Sequence, residues 1–434
     1  MDLKTVIRFL FFDARAIKRI ANSSAATWVG LLFVVAAGFA REYDGEYLGA
    51  QPWHLAIPVG ASLLACFTMV IFIYNIIWLR NRKTASPPAP FKRVFRSLLN
   101  VFWMTAPLAF LYAIPFERFL DAGDATQANL SLLGLVAAWR VALMVRSVQV
   151  LFNVHLGAAF IPVILFSDVV AMAAIWLIPS PVFLIMGGIR LTDSQQIILS
   201  VRLWLILIGY GTFLIWLIAY FVLCSRSKPW NLDQLADEES APAGISIPLR
   251  VVVAASLLIW IAVLPATQKE QWLRWKSSSL ILSGDYDAAS QLTREHPETS
   301  FPPHWSPPPR LGWGDREPSV YEAINGLKSH QAAPWMLARY FEKLDQMASS
   351  PWWRDSIHQM DDEALVKAID AIEACPNSRK IANDLAKSMA YSINRILNPD
   401  GTQDMVSQDD SGEPSESRVA SIKRLMQIAE PTPN

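Results

Sequence analysis

Between residues 24 and 266 the sequence repeatedly runs for about twenty residues with almost no charge, and this feature restricts the fold more than any other. Lipid offers no partner for a backbone N–H or C=O, so such runs must be helices, satisfied within themselves, that cross a bilayer. Seven runs qualify: Ser24–Ala40, Leu55–Leu79, Leu98–Phe116, Leu130–Val150, Phe160–Ile178, Leu203–Cys224 and Leu249–Ala266. The second, third and sixth are the strongest, the first and last are short, and the fourth and fifth each carry a charge. The chain is 53% apolar and 18% charged, against ~45–50% and ~25% in a soluble globular chain. The expected fold is all-α: a polytopic transmembrane bundle of about seven helices over residues 23–266, a small extramembrane helical domain over 267–397, and a disordered tail over 398–434 with a short amphipathic helix at Glu416–Ala429.

Lysine and arginine concentrate in the cytoplasmic loops of such proteins. Here Lys4, Arg8, Arg15, Lys18 and Arg19 precede the first run, and Arg80, Arg82, Lys83, Lys92, Arg93 and Arg96 follow the second. The alternate loops hold Glu42, Asp44 and Glu46, then Glu117, Asp121 and Asp124. This places the N-terminus inside, as in a bacterial inner membrane, and Trp53, Trp78 and Trp230 suit the headgroup level. Seven crossings would put the C-terminal region outside the cytoplasm; six or eight would put it inside. Gly38-Phe39-Ala40 resembles a signal-peptide cleavage site, but the preceding two dozen residues are patterned and too many for a usual leader. At 100° per residue the five early basic side chains share one arc of about 100° and Leu3, Val6, Ile7, Phe9, Leu10, Ala16, Ile17 and Ile20 cover the rest. Residues 1–22 therefore read as a cytoplasmic amphipathic helix lying on anionic headgroups, with packing against the protein itself as the alternative.

Charges within a span cost ~2.5–3.5 kcal/mol at the helix centre on insertion scales. Arg140 and Asp168 lie at equal distances from a turn near Val154, so an antiparallel hairpin would set them at one depth as an ion pair. A proton or ion relay through this pair is the functional alternative; only Asn75, Asn100 and His155 offer further polar groups. Ile178-Pro179-Ser180-Pro181, Val182 to Met186 and Gly187-Gly188 read as a helix stop and apolar loop, or as a re-entrant piece.

After Ala266, Gln268 to Leu282 and Tyr286 to Arg294 form a helical hairpin of tetratricopeptide type about a Gly284-Asp285 turn, with no second copy visible. Prolines force Phe301-Pro302-Pro303-His304-Trp305-Ser306-Pro307-Pro308-Pro309-Arg310 to be extended, as a strap across the helices or an exposed ligand. Further helices are expected at Ser319–Lys328, Trp335–Ala348, Glu363–Ala374 and Arg379–Ile396, the third capped by Asp361 or Asp362.

Formal net charge is zero, which gives no general attraction to nucleic acid. Cys66, Cys224 and Cys375 have no paired spacing, the six histidines are scattered, and no hydrolase, zinc-protease or phosphate-loop motif occurs. His296 and His304 flank the proline segment without a carboxylate or cysteine pattern, so no metal site, cofactor or catalytic residue is expected. The stretch Phe12-Asp13-Ala14-Arg15-Ala16-Ile17-Lys18-Arg19-Ile20-Ala21 resembles the opening of bacterial Yip1-like multi-pass proteins, a likeness covering at most residues 1–225. The layout, including Ala40-Arg41-Glu42-Tyr43-Asp44-Gly45-Glu46 and the Phe301 to Arg310 strap, resembles an uncharacterised family of planctomycete-type bacteria. These resemblances imply a role in membrane organisation or trafficking, with partners in the bilayer; the missing motifs and the helical C-terminal domain add the expectation of a non-enzymatic protein, in such a role or in an envelope assembly, whose C-terminal domain binds a protein partner. The competing expectation is a transporter or channel subunit that uses Arg140 and Asp168.

Overall fold

A computed structural model describes residues 1–81, 90–177, 191–226, 229–230, 244–309, 318–348, 360–388 and 415–430. Among the described residues the regular structure is helical and contains no strand. Seven helical segments are long and apolar enough to cross a membrane: Ser24–Glu42, Pro52–Arg80, Phe91–Arg118, Ala122–Phe152, Leu156–Leu177, Asp193–Arg226 and Ile247–Leu282. The protein is thus an all-α membrane protein. It divides into two compact units, Met1–Pro179 with Ile197–Gln271, and Ser180–Gln196 with Trp272–Asn434.

The first unit begins with α1 (Leu3–Leu10) and α2 (Ala14–Ala21), capped at their N-termini by Asp2 and Asp13. Between them Phe12 adopts a left-handed φ of 66°, so residues 1–22 form two helices rather than one. Their apolar faces turn largely onto the protein: Val6, Phe9, Ile17 and Ile20 are buried in the same core as the long helices, with α2 packed on α5 (Phe91–Trp103) and α6 (Ala122–Phe152), while Ile7 and Phe11 stay exposed. The alternative packing reading is the one the structure displays, because α5 and α6 offer this face a closer apolar partner than lipid does. Lys4, Arg8, Arg15 and Arg19 remain exposed, and Lys18 is half-buried.

The long helices are α3 (Ser24–Glu42), α4 (Ile57–Asn81), α5 (Phe91–Trp103), α6 (Ala122–Phe152), α7 (Leu156–Leu177), α8 (Asp193–Arg226) and α9 (Ile247–Leu282). The third span, expected as one strong helix, is broken: α5 stops at Trp103 and a 3₁₀ helix continues from Ala106 to Ala113. Pro107 explains the stop, since its ring has no N–H for the Trp103 carbonyl and would collide with it in an α-helix. By contrast Pro162 and Pro265 lie inside continuous helices. α9 therefore runs through residue 266, where the sequence suggested a domain boundary, and the last of the three sequence junctions between the two compact units falls at Gln271 and Trp272. Ile178 to Gly188, with the proposed helix stop, lies outside the described residues.

In the second unit the end of α9 and α10 (Tyr286–Glu295) form the anticipated hairpin, turned by Gly284 at φ 77°. The structure adds two more, α11 (Val320–Ser329) with α12 (Pro334–Ala348), and α13 (Asp362–Ala374) with α14 (Ser378–Ser388). α11 packs on α10, α12 and α13, while α14 packs on α12 and α13, so between the second and third hairpins first helix lies on first and second on second, and the first hairpin joins them through α10 against α11. Finally α15 (Glu416–Ala429) lies across α13 and α14, burying Ile422 and Leu425. The helix expected at Glu416–Ala429 is present and closes the stack; its apolar stripe has a receiving surface that only the fold provides.

Candidate functional site

Arg140 and Asp168 are not paired. The α6–α7 turn is at Asn153, near the expected position, and the two helices pack side by side. Equal depth, however, says nothing about direction around each helix. Arg140 Nε donates to Thr105 Oγ1 at 3.0 Å, and its guanidinium lies 5.1 Å from the Phe102 ring centre. Asp168 Oδ2 instead accepts from Thr212 Oγ1 of α8 at 3.0 Å. Thr212 has a single hydroxyl hydrogen and a second acceptor in reach, the Ile208 carbonyl at 2.8 Å. No salt bridge joins Arg140 to an acid among the described residues. Each charge is served by a neighbouring hydroxyl on a different element.

The break in the third span is what brings Thr105 to Arg140. Thr105 leaves the α-helix just after Met104, and its hydroxyl donates to the Phe102 carbonyl at 2.6 Å while accepting from the arginine. Tyr112, further along the 3₁₀ segment, is the ionisable side chain in electrostatic reach of Arg140, and Arg41 lies within reach of Tyr112. One signal in the sequence marked this place: Pro107 inside an otherwise continuous apolar run.

Near the start of α5's partner helices, fully buried Asn100 joins three elements. Its Nδ2 donates to the carbonyls of Ser23 at 3.0 Å and Ala21 at 3.2 Å, with Ile20 at 3.4 Å, and its Oδ1 accepts from Thr27 Oγ1 at 2.6 Å. The side chain thus gives the Ala21 carbonyl at the C-terminus of α2 a donor, while those of Ile20 and Ser23 also accept from the backbone of Ser23 and Ala26, a role for which sequence had offered Asn100 only as an isolated polar group. Close by, Gly30 permits α3 to approach α5: a Cβ there would stand 2.8 Å from Trp103 Cβ. Trp103 Nε1 donates to Ser62 Oγ at 2.9 Å, adding α4 to the junction.

At the other end of the bundle, Gln268 of α9 holds the loop after α3, donating to the carbonyls of Tyr43 at 3.0 Å and Glu46 at 2.9 Å and accepting from Leu48 N at 2.8 Å. Gln271 donates to the Asp44 carbonyl, and Arg118 pairs with Glu270 at 2.6 Å. Burial pushes the Asp44 carboxyl up, with the Glu117 charge adding to the shift. Burial likewise raises the Tyr43 phenol, whose ring sits 5.4 Å from that of Trp260.

In the second unit the proline segment lies against α12. Phe301 stacks on Trp305 at 5.0 Å and contacts Trp335 at 4.9 Å. Pro302 is half-buried and Pro303 exposed, whereas Pro307, Pro308 and Pro309 are buried. Tyr340 donates to the Pro308 carbonyl, and buried Lys343 donates to the carbonyls of Pro307 and, at 2.7 Å, Pro309. A chain of prolines offers acceptors without competing donors, and the lysine and tyrosine supply the donors. Arg310 lies outside the described residues. Elsewhere in the stack, Pro376, Asn377, Arg379, Lys380, Asn383, Asp384 and Lys387 line an open cleft of about 520 Å³ along α14. Cys66 and Cys375 are buried free thiols, and no cluster able to hold a metal ion occurs among the described residues. No protein-family model matches the chain, and neither a curated protein nor a solved structure matches it.

Proposed function

We propose that this membrane protein is non-enzymatic and anchors a helical protein-interaction domain in the inner membrane of a bacterium, serving membrane organisation, trafficking or an envelope assembly. The observation that carries this reading is the series of three helical hairpins closed by α15. Stacks of this type bury a continuous core between neighbours and leave long side surfaces free for a partner. The polar cleft along α14 is such a surface, with Arg379, Lys380 and Lys387 outnumbering Asp384. It suits an acidic protein segment. Lys and Arg in the early loops support a cytoplasmic N-terminus, and seven crossings then carry the hairpin domain to the outer face. The exposed basic residues Lys4, Arg8, Arg15 and Arg19, with Lys18, meet anionic headgroups of the inner leaflet.

The test is site-specific photo-crosslinking in cells from Asn383 in the cleft, with half-buried Asn325, bonded to the Lys367 carbonyl at 2.8 Å, as the control away from the cleft. A discrete protein adduct from Asn383 and none from Asn325 is expected. Absence of any adduct along α14 would remove the interaction reading. A reporter fused after residue 430 tests the side: activity confined to the cytoplasm would reject seven crossings.

A further inference from the structure

Arg140 lies in the middle of the apolar part of α6, yet its charge has no carboxylate partner among the described residues. The side chain is nevertheless held firmly. Thr105 takes the Nε hydrogen at 3.0 Å, and Phe102 lies beneath the guanidinium face at 5.1 Å. Two of the ways a guanidinium can be engaged, through Nε and through its face, are therefore used within the protein. What remains is the edge carrying both terminal nitrogens, four N–H donors that find no protein acceptor among the described residues. The residue as a whole keeps a partial exposure. A charged group in an apolar helix without a counter-ion is costly, and a fork of two parallel N–H donors matches the two oxygens of an oxyanion.

From this geometry we propose that Arg140 forms an oxyanion site at the break of the third span, and that it takes a phosphate group. Thr105 and Phe102 position the guanidinium. The phosphate comes either from the headgroup of an anionic phospholipid entering from the bilayer or from a soluble phosphate. The break itself is part of the device. With a continuous α-helix through Pro107, Thr105 would be one more residue of a regular turn, whereas here it stands at the junction where α5 ends.

The experiment uses the full chain in phosphatidylcholine nanodiscs, with and without phosphatidylglycerol, extracted gently and weighed intact by native mass spectrometry. Wild type is expected to retain a phosphatidylglycerol molecule, and Arg140→Gln to retain it about tenfold less. Thr105→Val, which frees Nε but keeps the charge, should fall between them. A triple variant, Lys4→Gln, Arg8→Gln and Arg15→Gln, separates the exposed basic face from this site and should retain the lipid. A parallel arm titrates inorganic phosphate into phosphatidylcholine nanodiscs and reads the unfolding temperature. A rise seen in wild type and lost in Arg140→Gln, with no lipid retained, identifies a soluble phosphate as the occupant. Retention unchanged in Arg140→Gln, or loss of lipid in the triple variant but not in Arg140→Gln, overturns the site, as does a wild type that binds neither probe. Should Arg140→Gln fail to elute as folded protein, Arg140→Lys decides: it keeps the charge but not the fork, and must bind more weakly than wild type.

Discussion

On α8 the side chains of Trp204, Leu207, Ile215 and Phe221 stand about 60% exposed or more, while on α11 and α13 Ile324, Leu327, Leu365, Ile369 and Ile372 are almost wholly buried. The first pattern is that of a helix apolar all round, whose solvent is lipid; the second is one apolar stripe on a helix otherwise in water. The comparison teaches where the specificity of each unit resides. In the hairpin stack, apolar volume selects the neighbour. In the bundle almost every face is apolar, so apolar character discriminates little between helix and lipid, and contacts such as those of Asn100, Trp103 with Ser62, and Gly30 select the packing.

The largest effect should come from removing apolar volume in the stack. Tyr340 is fully buried and its hydroxyl donates to the strap, so Tyr340→Ala is expected to destabilise the second unit by about 3–5 kcal/mol. Hydrogen exchange of residues 320–348 in the full-length protein measures this. Asn100→Leu keeps a similar volume and is more apolar, yet it takes the donor from the Ala21 carbonyl and the acceptor from the Thr27 hydroxyl; a loss of about 2–3 kcal/mol is expected. Thermal unfolding in detergent that leaves this variant as stable as wild type would show that apolar matching selects partners in the bundle too. Gly30→Ala forces α3 away from Trp103, for about 1–3 kcal/mol in the same assay.

Smaller still is the capping box of α11, in which Ser319 and Glu322 bond each other's backbone N–H groups at 3.2 and 3.0 Å. Ser319→Ala should cost about 1 kcal/mol. The Ser319 N–H holds the Glu322 carboxyl below its ordinary range, with Lys367 contributing. A depressed carboxylate stabilises the fold above its unfolded value, and that contribution disappears as pH falls through the native value. Stability of the second unit should therefore decline below about pH 4.5, less steeply in Glu322→Gln, as measured by denaturant midpoints across that window. At the bottom of the scale, Ile215→Ala on the exposed face of α8 should change bundle stability by less than about 0.5 kcal/mol.

Much of the layout could be read from residues. Each of the seven predicted runs overlaps one of the seven apolar helical segments, and from Tyr286 onward the described helices begin within a residue or two of their expected starts, helped by Ser319 and Asp361 as caps, whereas the helix expected from Gln268 is the end of α9. Failures fall where one signal has two outcomes. Proline breaks the helix at Pro107 but not at Pro162 or Pro265, because accommodation depends on what neighbouring elements supply to the freed carbonyl. The hairpins after the first were unrecognised as repeats since stacking demands only matching apolar stripes, which many sequences meet without resembling one another. The Arg140–Asp168 pairing failed for a geometric reason: axial rise follows from residue number, but the direction of a side chain relative to a third helix does not.

What the amino-acid order determined by itself was therefore the set of membrane-length helices and the amphipathic helices after them, since transfer to lipid and helix capping depend on a residue and its near neighbours. Only the tertiary structure decided that α1 and α2 turn their apolar faces inward, that Asn100 closes α2, and that Thr105 rather than Asp168 receives Arg140. Those outcomes rest on contacts such as Arg140 with Thr105, Asn100 with Ala21 and Trp139 with Leu10, 35, 79 and 129 positions apart in sequence, and a hydrogen bond forms or fails on differences of an ångström that no local pattern encodes.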